Sequence, residues 1–285
     1  MQKRRTTADG MLGKTARRVD GKRRLVVLAM VVAVLASGIV WAAAEEVNNG
    51  QDPTRPLTRF DFRYQYQHLP PDDHDKAHIF TLRADKPFVL SPRWTLAARL
   101  DLPLFLTDAI SRDNPTGDYT FGTGDLLVQG LLIHALDQRW ALAGGVQMIF
   151  PTASQEQMGA GKYRLVPTGA FRLALPEVSK GSFFVFLVRY DYDFAGAADR
   201  PHRSELQLDP VFNVNLPQQW FVTLFPSSDI RINLMDGGKL FLPFNVMVGK
   251  LVTRSIVASV EIGVPIVNDY QVYDFKLEAR VGFFF

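Results

Sequence analysis

Apolar and polar residues alternate along much of this chain with a period of two. The alternation is clearest between residues 273 and 285, where one face is apolar and the other carries four consecutive charged positions before Gly282 and Phe284. A period of two predicts a β-strand. Soluble strands are usually about 5–6 residues long, whereas a tilted strand that crosses a bilayer needs about 9–11. An apolar face backed by charges is typical of a strand between lipid and a wet lumen.

The same alternation recurs and predicts twelve strands. They lie near 57–69, 77–90, 93–107, 119–135, 138–151, 162–175, 182–194, 203–215, 219–232, 239–251, 254–267 and 272–285. The fourth and tenth alternate poorly. Single-chain bacterial barrels have an even number of strands, so the pattern predicts an all-β fold: one transmembrane antiparallel β-barrel of about 12 strands. An edge strand of a soluble β-protein is the alternative interpretation of the last segment.

Turn lengths and tryptophans orient the predicted barrel. Connections near residues 91–92, 136–137, 217–218 and 252–253 are short, and the others are mostly longer. Short periplasmic turns and longer outer loops are expected of such barrels. Trp94, Trp140 and Trp220 each follow a short turn, which predicts a periplasmic aromatic girdle.

The N-terminal region predicts export. Residues 1–44 contain a basic start, an apolar run over 25–44 and an Ala-rich exit, which describes a signal peptide cleaved after Ala44. An uncleaved membrane helix is the alternative. Residues 45–56 are polar and are interpreted as a short periplasmic lead-in, and residues 57–285 as the outer-membrane barrel.

Charge excludes one class of partner. Residues 1–44 hold nine of the 32 Lys and Arg and two of the 29 Asp and Glu. The remainder therefore has 23 basic and 27 acidic residues, a net charge of −4. This balance gives no reason to expect nucleic-acid binding, which favours a basic patch. The chain has no cysteine, so disulfides and lipidation at a cleavage-site cysteine are excluded.

Charged residues of both signs fall on the polar face of the predicted strands. Charge facing lipid at mid-membrane destabilises by about 2–4 kcal/mol, so these residues belong in the lumen. The hypothesised lumen-lining residues are Arg59, Arg63, Arg83, Arg99, Asp101, Arg172, Arg189, Asp191, Glu278 and Arg280. From charge alone, a narrow polar pore and a plug of self-satisfied salt bridges are equally supported.

Catalytic and metal signals are weak. None of the five histidines has a serine placed to form a nucleophile and base pair. Asp72, Asp73 and Asp75 offer oxygen ligands for a divalent cation, but a solvated acidic loop is the favoured interpretation. No catalytic, cofactor or metal site is therefore predicted.

One segment resembles a known family. It includes Gly122, Gly124 and Asp125, then Phe150, Pro151, Thr152 and Ala153, then Gly159, Gly161 and Lys162, and Pro167. These motifs resemble the outer-membrane barrel family associated with the meta-cleavage pathway of phenol degradation. The likeness covers roughly residues 119–285; Tyr163 and Val166 depart from the usual pattern.

Local physics gives this motif a structural interpretation. Pro151 ends a strand because proline cannot donate to the ladder, and Gly159 and Gly161 are expected to allow positive φ. Lys162 would restart a strand at the outer rim. The segment thus predicts a constrained outer hairpin that folds over the mouth.

The C-terminus resembles the signal by which outer-membrane barrels are recognised for assembly. Its residues are Tyr273, Ala279, Val281, Phe283 and Phe285. The expected partners are the lipid bilayer, the barrel assembly machinery and a small-molecule substrate.

These patterns favour an outer-membrane channel for passive uptake of small molecules. The resemblance implies that these include hydrophobic or aromatic compounds. The alternatives are a structural barrel with a closed lumen that serves the envelope or a protein partner and, third, a lipase-type enzyme. An enzyme is not the expectation.

Overall fold

Alternating segments form fourteen strands in the computed structural model, which describes residues 48–68, 76–270 and 272–285. The strands are β1 (Arg59–His68), β2 (Lys76–Ser91), β3 (Trp94–Thr107), β4 (Thr120–Thr123), β5 (Leu126–Ala135), β6 (Trp140–Phe150), β7 (Lys162–Ala174), β8 (Phe183–Gly196), β9 (Ser204–Asn215), β10 (Trp220–Leu224), β11 (Ile230–Asn233), β12 (Lys239–Thr253), β13 (Ile256–Asn268) and β14 (Phe275–Phe284). Short 3₁₀ helices lie at Glu156–Met158, Pro217–Gln219 and Leu234–Asp236. Among the described residues there is no helix that is long and apolar enough to cross a membrane.

The strands close into one antiparallel barrel. β1 pairs with β14 over its whole length, from Arg59 opposite Phe284 to His68 opposite Phe275. β4 and β5 both pair with β3, and β10 and β11 both lie between β9 and β12. Each of these two pairs makes a single wall strand, so the barrel has the twelve strands that the alternation predicts.

The β10–β11 interruption has a local cause. On the β9 side of the β10–β11 break lies Pro210, and on the β12 side lies Pro243. A proline has no N–H to donate to a neighbouring strand, so the break leaves no donor of Pro210 or Pro243 unpaired. Phe225, within the break, has a positive φ of 49°. Of the two predicted strands that alternate poorly, the fourth (119–135) is broken into β4 and β5, whereas the tenth (239–251) is continuous as β12. The other broken strand is the ninth (219–232), which forms β10 and β11.

Alternation sorts side chains between the two surfaces of the wall. Outward neighbours such as Phe62, Leu100 and Val281 are 51%, 44% and 41% exposed. Asp61 and Asp101, one residue away from two of them, are 0% and 8% exposed. A charged interior and an apolar exterior are the arrangement of a lipid-embedded barrel.

Trp94, Trp140 and Trp220 each begin a strand, and they are 40%, 41% and 42% exposed. They lie on the outer surface and not in a packed interior. Their end of the barrel carries the short turns and the start of β1. By the usual asymmetry of loop lengths it is the periplasmic end.

One predicted position differs in the structure. Tyr273 was expected on the apolar face that ends at Phe285, but β14 begins only at Phe275 and Tyr273 is fully buried. Its hydroxyl donates to Asp229 Oδ2 (3.0 Å) and Asn245 Oδ1 (3.2 Å), and these polar partners hold it inside. Ala279, Val281 and Phe283 lie on β14 as expected, and Phe285 follows it.

The predicted signal peptide, its cleavage site after Ala44 and the acidic residues Asp72, Asp73 and Asp75 lie outside the described residues.

Candidate channel lumen

The ten charged residues that the alternation selected share the inner face of the wall. All ten point to the enclosed side of the wall. The nine that form ion pairs have side chains between 3% exposed, for Asp191, and 20% exposed, for Arg99. Arg280 is 5% exposed. Strand periodicity fixes this set because residues two apart share a face.

Most of these charges are paired between neighbouring strands. Arg83 holds Asp101 through two hydrogen bonds, Nε–Oδ1 at 2.7 Å and Nη2–Oδ2 at 2.5 Å. Asp85 is shared by Arg59 (2.6 Å) and Arg99 (2.7 Å). The planar guanidinium of Arg83 thus matches Asp101 in bidentate geometry, whereas Asp85 takes one hydrogen bond from each of two arginines.

A second group lies where β1 meets β14. Arg63 contacts Asp61 (3.2 Å) and Glu278 (3.4 Å). Arg280 lies directly opposite Arg63 in the register. Within the described part of the chain, Arg280 has no carboxylate in ion-pair contact, and its Nε and Nη2 have no hydrogen-bond partner.

The far wall carries a matching set. Asp191 contacts Arg164 and Arg203, each at 2.9 Å, and Arg189 approaches Asp209 at 3.7 Å. Charges of both signs therefore lie on this side of the lumen as well.

Sequence reasoning missed a buried network behind the β10–β11 break. Lys276 Nζ contacts Asp229 and, at 2.5 Å, Glu261 Oε1. Asn245 Nδ2 donates to both carboxylates, at 2.7 Å and 3.0 Å. Lys276 and Glu261 were visible on polar strand faces, but Asp229 lies in the break and shows no period.

The loop after β6 folds into the outer mouth. Pro151 follows the end of β6 and Lys162 begins β7, as predicted. Met158, in the 3₁₀ helix of this loop, is 2% exposed. A Cβ on Gly122 of β4 would lie 2.7 Å from its sulfur. Gly122 pairs with Phe105, whose face is the inner one, so the loop packs against the inside of the wall.

Asp125 and two glycines fix this loop. Asp125, in the gap between β4 and β5, accepts hydrogen bonds from the N–H groups of Ala153 (3.2 Å) and Ala160 (2.7 Å). Gly161 has the expected positive φ of 66°. Gly159 does not; its φ is −157°. Glycine is needed there for space, because a Cβ would lie 2.4 Å from both Asp125 Oδ1 and Ala153 Cβ.

Neighbouring outer loops lock onto the same segment. Arg200 pairs with Glu156 (2.8 Å) and donates to the carbonyl of Gly159 (2.5 Å). Arg112 Nη2 lies 2.6 Å from Asp199 Oδ2. The hydrogen bond from Arg112 holds the pKa of the Asp199 carboxyl below its usual range. These three loops therefore act as one outer cover.

The segment predicted as a periplasmic lead-in enters the lumen instead. Asn49 is 6% exposed and donates to Asn213 Oδ1 (3.3 Å) and Asn215 Oδ1 (2.9 Å) inside the wall. Asp52 Oδ2 lies 2.9 Å from Arg172 Nε, and Arg59 Nη1 donates to the carbonyl of Gly50 (2.6 Å). Polar lumen groups that need partners explain the insertion. We call residues 48–56 the inner segment.

The described histidines are engaged with other groups. His78 Nδ1 lies 2.8 Å from the Tyr64 hydroxyl, His68 and His202 contact Asp274 and Asp193, and His134 stacks on Trp94 at 4.2 Å. None of these four rings contacts a serine hydroxyl. In the described ranges no three His, Cys, Asp or Glu residues are grouped to hold a metal.

Comparisons with solved structures place the fold. The COG4313 outer membrane channel from Pseudomonas putida F1 is 17% identical, with a TM-score of 0.62, over 80% of this chain and 95% of that chain. The NanC porin is 15% identical, with a TM-score of 0.50, over 79% of this chain and 98% of that chain. Outer membrane phospholipase A from Escherichia coli is 12% identical, with a TM-score of 0.47, over 82% of this chain and 95% of that chain.

No family model matches the chain, and no curated protein is a match. At these identities the likeness shows the fold alone. Together with the apolar exterior and the charged interior, it defines the protein as a twelve-stranded β-barrel of the bacterial outer membrane.

Proposed function

We propose that this protein is a passive channel for small molecules, and that the inner segment controls its periplasmic mouth. The observation that carries the proposal is how the segment is held. Residues 48–56 lie in the lumen through side-chain contacts from Asn49, Asp52 and Arg59, with no strand pairing to the wall. Such contacts can break while the barrel hydrogen bonds stay intact.

The accessible area of the lumen arginines supports a pore over a packed plug. The side chains of Arg63, Arg83 and Arg99 keep 16%, 16% and 20% of their area accessible even though each is paired. A fully packed interior would enclose them, because it leaves few voids as large as a water molecule. These arginines would set charge selectivity once solutes enter.

The solute class is the finer part of this proposal. The resemblance to the phenol-degradation barrel family favours uptake of monocyclic aromatic compounds. The motif residues of that resemblance build the outer cover, so they bear on access from outside.

A disulfide lock tests the channel, because the chain has no native cysteine. Asn49→Cys combined with Asn215→Cys, joined by a short bis-methanethiosulfonate crosslinker that reductant releases, would tether the inner segment to the wall where Asn49 Nδ2 and Asn215 Oδ1 lie 2.9 Å apart. The protein is reconstituted in liposomes, and uptake of small sugars, amino acids and monocyclic aromatics is compared before and after reduction. We expect faster uptake after reduction, and no effect of reductant on either single variant.

Other results would favour the alternatives. Protein that is folded, as judged by its heat-dependent gel mobility, and that passes no solute after reduction is the closed structural barrel. Phospholipid hydrolysis by the same sample in the presence of calcium would favour the lipase-type enzyme.

A further inference from the structure

Arg280 differs from the other arginines of the lumen. It lies in β14 with Arg63 opposite it on one side and Ser259 on the other. Only 5% of it is exposed, and its Nε and Nη2 are enclosed without a partner among the described residues. By contrast, Arg83 and Arg99 each hold a carboxylate within 2.7 Å.

The charges around Arg280 do not balance. Lys276 of β14 is balanced elsewhere, because it and Arg231 pair with Asp229 and Glu261. The rest of the inner face of β1, β2, β3 and β14 holds five arginines and four carboxylates. They are Arg59, Arg63, Arg83, Arg99 and Arg280, and Asp61, Asp85, Asp101 and Glu278. The group therefore carries one excess positive charge, and that charge is on the arginine without a carboxylate partner.

Such an arrangement is unfavourable for the barrel alone. Like charges directly opposite each other on paired strands destabilise them, and enclosed donors without acceptors retain their desolvation cost. A structural role would be met better by an uncharged residue. An acceptor that carries one negative charge would remove both defects.

We propose that Arg280 is a binding subsite for small monovalent carboxylates that pass through the lumen. A carboxylate matches the planar guanidinium in bidentate geometry, and its single charge cancels the local excess. Ser259, buried beside Arg280 on the same inner face, adds a hydroxyl donor. This inference rests on the proposed channel for access and names a solute class for it.

Equilibrium binding of benzoate to the folded full-length protein in detergent tests the subsite without transport. Hydrogen bonds to charged groups are strong enough that we expect Arg280→Gln to weaken binding by about tenfold or more. Arg280→Lys keeps the charge but loses the bidentate geometry, so its affinity for benzoate should lie between those of the wild type and Arg280→Gln. Arg139→Gln, at an exposed turn arginine paired with Glu177, should bind like the wild type.

A charge-matched variant separates the subsite from general attraction. Arg99→Gln removes the same charge from the lumen, and Asp85 keeps its contact with Arg59. It should weaken benzoate binding by much less than Arg280→Gln. Equal losses in the two variants, or no benzoate binding by folded wild-type protein, would overturn the proposal.

Liposome uptake then distinguishes failure of the subsite from failure of the channel. The solutes are benzoate, benzyl alcohol and benzylamine, which share a ring and differ in charge. Preference for benzoate that disappears in Arg280→Gln supports the subsite. Equal passage of benzoate and benzyl alcohol, unchanged in Arg280→Gln, overturns it and leaves the channel standing. Failure of every solute to pass, with binding retained, contradicts the channel alone.

Discussion

Asp52→Ala should release the inner segment from the lumen. Asp52 Oδ2 lies 2.9 Å from Arg172 Nε, and both side chains are less than 10% exposed. Asp52 Oδ1 accepts from the Thr54 N–H (2.9 Å) and from its hydroxyl (2.7 Å). The carboxylate therefore attaches the segment to the wall and also shapes its turn.

The magnitude follows from these contacts. Hydrogen bonds to a charged acceptor contribute about 1.5–3 kcal/mol each, and breaking a buried ion pair costs about 3–5 kcal/mol. The N–H of Arg172 is not directed at the carboxylate, so we take about 3 kcal/mol in total, at the lower end of the range for a buried ion pair. At about 1.4 kcal/mol per factor of ten, the released population should rise roughly a hundredfold.

Single-channel recording in planar bilayers measures that change. We expect Asp52→Ala to spend far more time in its high-conductance state than the wild type. Asn49→Ala, which removes neutral hydrogen bonds only, should have a smaller effect. The combination of Asp52→Arg with Arg172→Asp should recover part of the closed state, since it restores a charge pair.

Two outcomes would refute this reasoning. A cysteine placed at Asn49 reports release of the segment by its rate of maleimide labelling. Faster labelling in Asp52→Ala with unchanged conductance would show that the segment does not limit passage. Unchanged labelling would show that the Asp52 contacts contribute little to holding it.

Three further changes test other parts of the structure. Arg83→Gln should lower the free energy of unfolding by about 2–4 kcal/mol, because it strips Asp101 of its bidentate partner, whereas Arg280→Gln should leave it unchanged or raise it. Gly159→Ala should displace the loop after β6 and expose it to trypsin, at a cost of about 1–3 kcal/mol from the steric clash. The backbone N–H groups of Trp140 and Arg139 hold the pKa of the Asp137 carboxyl below its ordinary value of 3.8. Asp137→Ala should therefore be less stable than wild type at pH 7, and the two should converge as the pH falls through that lowered pKa.

Each of these has a control and a contrary result. Urea unfolding followed by gel mobility measures the arginine variants, and equal destabilisation of both would show that Arg280 is as well paired as Arg83. Gly169→Ala, where a Cβ meets nothing within 4 Å, is the control for Gly159→Ala; equal trypsin sensitivity would contradict the clash. A pH-independent difference for Asp137→Ala would mean that its charge is irrelevant to the turn.

The sequence by itself determined the wall of this protein. A strand exposes alternate residues to opposite sides, so a local period of two selected the outward tryptophans and the ten inward charges without any knowledge of distant contacts. Turn lengths are also a local property of the chain, and they predict which end of the barrel is periplasmic. The strand count was also local, since most segments show their own alternation.

Only the tertiary structure decided what fills the barrel. Inner contacts join residues that are far apart in the chain, as with Asp52 and Arg172 or Tyr273 and Asp229. The alternation of residues within a strand carries no information about such a distant pair. The sequence predicts a positive φ at Gly159, which is wrong; glycine is needed there because a Cβ would lie too close to Asp125. That Arg280 lacks a carboxylate partner likewise depends on which side chains meet it once the barrel closes, because alternation gives a residue its face and not its neighbours.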